Sequence, residues 1–69
     1  MGSAQWVYAN GSSWITLDPL AQRHIESLWS HNASSWIQTT SFRHPVYVDV
    51  PQMCLVMEGY SYAIARRNR

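Results

Sequence analysis

The pattern of apolar and polar residues predicts strands at both ends of the chain and one helix between them. Short apolar or alternating runs indicate the strands, and apolar residues three and four positions apart indicate the helix. Residues 6–9 and 14–17 are short aromatic and β-branched runs. Asn10-Gly11 lies between them and is the strongest short hairpin signal that a sequence offers. We therefore predict a β-hairpin, with the two serines after Gly11 extending its turn.

A single helix is predicted over residues 19–31. Asp18 suits the N-cap, Pro19 suits the first helical position, and Asn32 tolerates the left-handed conformation that often follows a helix. Apolar residues on this segment recur at the spacing of one helix face. We expect one apolar stripe and one polar side, formed respectively by Leu20, Ala21, His24, Ile25, Leu28 and Trp29, and by Gln22, Arg23, Glu26 and Ser27.

The remainder of the chain is predicted to be strands, over residues 35–40, 46–50, 53–57 and 60–66. Strict alternation in the second of these runs places its valines on one face and Tyr47 and Asp49 on the other. A lone amphipathic helix needs an apolar surface, which a curved antiparallel sheet supplies. The predicted class is α+β, a single domain with a sheet of about six strands wrapped on one helix.

Composition supports one folded domain in the 69 residues, since 46% are hydrophobic and 13% are charged. We place that domain at residues 5–67, with residues 1–4 as an unstructured or artificial start and 68–69 as a frayed tail.

A net charge of +1 argues against a bulk nucleic-acid binder. No apolar run approaches the ~18 residues of a membrane span. The single cysteine, Cys54, cannot form an internal disulfide, which favours the cytoplasm or nucleus.

The chain contains four tryptophans and four tyrosines, an unusual aromatic content for its length. Each such ring buries about 150–250 Å², so a few of them can stabilise a small domain without disulfides. All four tryptophans are therefore predicted to pack in the core: Trp6, Trp14, Trp29 and Trp36.

Catalysis and metal binding are not expected. A hydrolase would use a serine with His24 or His44 and Asp49, but no strained nucleophile turn such as G-x-S-x-G occurs. His24 and His31 are seven residues apart, whereas helical metal pairs prefer a spacing of four. We predict no enzyme activity, no metal and no cofactor.

The ordered set of motifs resembles a WWE domain. Trp6 and Trp14 flank the Asn-Gly turn in a pattern W-x-Y…NG…W-x-x-L-D, and a helix follows Asp18. The segment 48–53 resembles the family's V-D-L-x-x-M run, and the close of the chain resembles its G…I-x-R ending. The similarity covers about residues 5–67.

The resemblance implies a non-catalytic module of ubiquitin ligases and ADP-ribosyltransferases that makes protein–protein contacts and recognises poly(ADP-ribose). In such domains an aromatic cleft stacks the adenine of iso-ADP-ribose, and basic and amide groups hold its phosphates. On this basis we predict ligand binding by Tyr8, Tyr47, Tyr62 and Arg66. Tyr8 matches the family's first-strand pocket aromatic, whereas Tyr47 lies one residue past the family's pocket tyrosine and points to the opposite face of its strand. The resemblance assigns structural roles to Trp6, Trp14, Asp18 and Asp49.

Several positions depart from the family's ligand-reading pattern. The named glutamate is Ala9, and apolar or aromatic residues stand where the family has a pocket aromatic, a tyrosine, a glutamine and a base: Ile15, Val46, Leu55 and Tyr62. Arg43 or Arg66 would then supply the positive charge for the phosphates from another position. Three alternatives stay open. The first is ADP-ribose or poly(ADP-ribose) binding near Tyr8, Tyr62 and Arg66. The second is a degenerate domain that only contacts proteins, and the weakest is single-stranded nucleic-acid binding.

Overall fold

The computed structural model describes residues 4–68, which form one helix and a six-stranded antiparallel sheet. The predicted α+β class is confirmed. The strands lie side by side in the order β2-β1-β6-β5-β4-β3. Along the chain the elements are β1 (Ala4–Asn10), β2 (Ser13–Thr16), α1 (Pro19–His31), β3 (Ser34–Ile37), β4 (Val46–Asp49), β5 (Cys54–Met57) and β6 (Tyr60–Asn68).

The first hairpin is confirmed, with a shorter turn than predicted. Ser13 already pairs with Asn10, so only Gly11 and Ser12 connect the strands. Gly11 has φ 66°, a left-handed conformation that glycine adopts without steric cost. The two-residue turn fixes the register in which Trp14 faces Ala9.

Both predicted ends of the helix are confirmed. Asp18 Oδ1 accepts a 2.8 Å hydrogen bond from the Ala21 N–H, which is otherwise without a helical partner. Asn32 ends the helix in the left-handed region at φ 50°. Its backbone N–H donates to the carbonyls of Leu28 and Trp29.

The face that the helix presents to the sheet differs from the predicted stripe. Ala21 and Ile25 are buried, but His24 and Trp29 are exposed. Gln22 faces the sheet instead: its amide donates to the Trp6 carbonyl (2.8 Å) and accepts from the Trp6 N–H (2.6 Å). Because buried backbone groups need partners, a polar side chain is favoured at this position of the interface.

The core lies between the helix and the concave face of the sheet. Its fully buried side chains include the valines of β4, as the alternation predicted, together with Trp6, Ile25, Val50 and Leu55. The prediction that every tryptophan is buried is wrong. Trp14, Trp29 and Trp36 expose 49%, 43% and 66% of their surface, because the first and last lie on edge strands and Trp29 lies near the end of α1.

Strand pairing between β1 and β6 extends further toward both ends of the chain than predicted. Ala4 pairs with Asn68 and Gln5 with Arg67, so β1 and β6 extend over residues assigned to the start and the tail. The other residues of those two segments, 1–3 and 69, lie outside the described part of the chain. Within residues 4–68, α1 is too short to cross a membrane.

Candidate functional site

Two of the four predicted ligand residues lie together on the concave face of the sheet. Tyr8 on β1 and Tyr62 on β6 are half-buried, with ring centroids 6.0 Å apart and planes at 88°. Phe42, from the segment 38–45 between β3 and β4, packs edge-on against Tyr8 at 5.7 Å. The three rings form one aromatic cluster over the core.

This cluster fills the place where the resemblance predicts a cleft. Val46 and Leu55, which stand where WWE domains have a tyrosine and a glutamine, are fully buried in the core against which the cluster packs. Leu55 lies directly opposite Tyr62 on the neighbouring strand. The three rings pack edge-on against one another and leave no slot for a base between the tyrosines. The cluster's own hydrogen-bond donors are the two phenol hydroxyls, and none of its members is charged.

The segment that carries Phe42 is held by the residue that caps the helix. The second carboxylate oxygen of Asp18 accepts hydrogen bonds from the backbone N–H groups of Thr40 and Ser41, both at 3.0 Å. Partial burial disfavours the charged form, but these bonds and the one from Ala21 outweigh it and hold the pKa of Asp18 below its usual value. The Phe42 N–H in turn donates to Thr39 Oγ1 at 3.1 Å. The sequence predicts the cap but not this second role of Asp18, because Thr40 and Ser41 are more than twenty residues away from it.

Arg66 does not join the two tyrosines. It lies four residues beyond Tyr62 on β6, about 13 Å along the strand, opposite Trp6. Its guanidinium donates to both carboxylate oxygens of Glu26, at 3.0 and 2.6 Å, and stands 5.4 Å from the ring centroid of Trp29. Hydrogen bonding to Arg66 lowers the pKa of Glu26, and the same contact raises the pKa of Arg66.

Glu26 also contacts the core of the domain. Its Oε1 also accepts a 2.8 Å bond from the indole N–H of buried Trp6. The sequence placed Glu26 on the polar side of the helix and gave no sign of this contact. Arg66 therefore links β6 to α1, and its positive charge is paired with the carboxylate of Glu26.

The fourth predicted ligand residue, Tyr47, stands on the convex face of the sheet. It pairs with Trp36 across β3 and β4, with centroids 5.5 Å apart and planes at 69°. The structure therefore does not bring Tyr47 to Tyr8 and Tyr62. Asp49 lies on the same strand and accepts bonds from Ser34 Oγ (2.9 Å) and the Gln52 N–H (3.3 Å), contacts that suit its predicted structural role.

Basic residues gather beside the aromatic cluster instead of within it. Arg43 and His44 line a cavity of about 230 Å³ with Phe42 and Met57. That volume is below the ~300–1,000 Å³ of most small-molecule sites, so it has room for part of a nucleotide only. His44 also borders a larger cavity of about 460 Å³ against Trp36 on the convex side.

Within the described residues, no group of three or more histidine, cysteine, aspartate or glutamate side chains is placed to hold a metal ion. Comparison with protein-family models, with curated proteins and with solved structures finds no match to this chain.

Proposed function

We propose that the chain is a non-catalytic recognition module resembling WWE domains, acting in ubiquitin or ADP-ribosylation pathways of the cytoplasm or nucleus. Its support is the agreement between the motif order and the fold: an Asn-Gly hairpin, a helix capped by Asp18, and a sheet wrapped on that helix. Trp6 lies buried beneath the helix, in keeping with its role as the first tryptophan of the pattern.

The module acts mainly through contacts with proteins. The single observation that carries this proposal is the packed aromatic cluster of Tyr8, Phe42 and Tyr62 in place of an open cleft. A pyrophosphate transferred out of water needs paired hydrogen-bond donors. Val46 and Leu55 supply none, and Arg66 is bound to Glu26. The exposed aromatic rings lie elsewhere, on Trp14, Trp29, Trp36 and Tyr60.

A second candidate function is binding of ADP-ribose or of iso-ADP-ribose units in poly(ADP-ribose). It is favoured by Arg43 and His44, which flank Phe42 at the small cavity. If the segment 38–45 swings outward, Phe42 leaves Tyr8, and Arg43 and His44 then border an open aromatic site. Adenine stacking there would contribute about 1–3 kcal/mol.

An NMR titration distinguishes the two candidates. Labelled wild-type chain and the variant Phe42→Ala are each titrated with iso-ADP-ribose and with ADP-ribose in separate tubes at physiological salt. For protein recognition we expect no shifts in either chain at millimolar ligand. Saturable shifts on Tyr8, Tyr62 and Arg43 at micromolar ligand would establish the second candidate. Shifts in Phe42→Ala alone would show that Phe42 closes a latent ligand site.

A further inference from the structure

The two edges of the sheet carry the same short sequence. Residues 12–15 and 34–37 both read Ser-Ser-Trp-Ile. The structure places the last three residues of the first copy on β2, with Ser12 in the turn before it, and all four residues of the second copy on β3. These are the outermost strands of the sheet. Strands that are distant in the chain thus present matching side chains at opposite edges of one molecule.

The two edge strands are short, at four residues each, but they lack the other features that usually prevent strands from pairing between molecules. Natural edge strands are commonly protected by lysine and other charged residues, by proline or by bulges. β2 and β3 contain no charged residue and no proline, and the whole chain has no lysine. All four residues of β2 and the first three of β3 are exposed. A net charge of +1 gives little repulsion between copies.

The direction of the strands also permits a second copy to join edge to edge. Each neighbouring pair of the six strands is antiparallel, so β2 and β3 run in opposite directions. When β3 of one molecule lies beside β2 of another in the same orientation, the alternation continues without interruption. Such an arrangement is a head-to-tail interface, which leaves a free edge at each end and permits further growth.

Side chains at the two edges match when the strands are joined in this way. Trp14 is opposite Ala9 and Trp36 is opposite Tyr47, which places both indoles on the convex face of the sheet. A register with Trp14 opposite Trp36 keeps the two isoleucines, Ile15 and Ile37, on the concave side. Aromatic residues that face each other across antiparallel strands stabilise the pairing.

We propose that the chain associates with further copies of itself through antiparallel pairing of β2 in one copy with β3 in the next, with Trp14 against Trp36. This inference goes beyond the proposed function and does not depend on whether the aromatic cluster admits a ligand. The contact is small, so we expect a dissociation constant on the order of 0.1–1 mM, at the weak end of protein–protein interfaces. Tethering of several chains strengthens such a contact.

Lysine substitution at each edge tests the proposal because a head-to-tail interface is complementary. Trp14→Lys removes β2 as a partner and leaves β3 intact, whereas Trp36→Lys does the reverse. Tyr60→Lys is the matched control, since Tyr60 is 69% exposed but lies next to the β5–β6 turn, away from both edges. Thermal unfolding first confirms that each variant is folded.

Molecular mass is then measured by sedimentation equilibrium from about 10 µM to about 1 mM, a range that spans the expected dissociation constant. Wild type and Tyr60→Lys should grow beyond dimers as concentration rises, and each tryptophan variant alone should stay monomeric. An equimolar mixture of the two tryptophan variants should form a dimer and stop there, since only one intact edge remains on each. A monomeric wild type over the whole range would overturn the proposal. A dimer abolished by one tryptophan variant and unaffected by the other would also overturn it, because that result indicates a symmetric interface.

Discussion

The double role of Asp18 predicts a graded loss of stability when its carboxylate is changed in two ways. Asp18→Ala removes the helix cap, worth about 1 kcal/mol, and two hydrogen bonds to the segment 38–45, worth about 0.5–1 kcal/mol each at this partly exposed site. The sum is about 2–3 kcal/mol. Asp18→Asn retains one acceptor oxygen and caps a helix as well as aspartate does, so it should lose only the two bonds to the segment 38–45, about 1–2 kcal/mol.

Thermal unfolding and amide hydrogen exchange measure these two contributions separately. For a domain of this size 1 kcal/mol corresponds to roughly 4–8 °C, so Asp18→Asn should melt about 4–16 °C below wild type and Asp18→Ala about 8–24 °C below, the difference between the two being the lost cap. In Asp18→Asn the Thr40 and Ser41 amides should exchange faster while the Ala21 amide stays protected. In Asp18→Ala all three should exchange faster. Equal stability of the two variants, or unchanged exchange at Thr40 and Ser41, would refute the assignment of a second role to the carboxylate.

Two further substitutions test the contacts between the helix and the sheet. Gln22→Ala leaves the Trp6 N–H without its partner and removes one of the two donors to the Trp6 carbonyl, which keeps its bond from the Leu17 N–H. It should cost about 1–3 kcal/mol in urea unfolding, whereas Arg23→Ala, exposed on the next helical position, should change stability by less than about 0.5 kcal/mol. Equal effects of the two changes would contradict the role given to the Gln22 amide. Because Arg66 lowers the pKa of Glu26, the pair stabilises the fold above about pH 4.5, and that contribution falls as pH drops through the lowered pKa. Glu26→Gln should therefore show a smaller fall in urea midpoint between neutral pH and pH 3 than wild type, and an identical fall would contradict the pairing.

Aromatic contacts explain why the candidate site differs from the one that the sequence predicted. The resemblance grouped Tyr8, Tyr62 and Arg66 around one cleft, and the structure places the two tyrosine rings 6.0 Å apart while Arg66 is bound to Glu26. The pairing of Arg66 with Glu26 could not be predicted, since the two residues are forty positions apart. Nor does the sequence show that Phe42 packs on Tyr8, because residues 38–45 have no regular pattern that would fix their path.

The sequence by itself determined the elements whose causes are local. The Asn-Gly turn, the Asp18 cap, the Asn32 end and the valine alternation of β4 depend on the conformational preferences and hydrogen bonds of neighbouring residues. Tertiary structure alone decided which tryptophans are buried and whether the predicted cleft is open. Those outcomes depend on which strands become edges and on where a distant carboxylate anchors a loop, and short-range patterns carry no information about either.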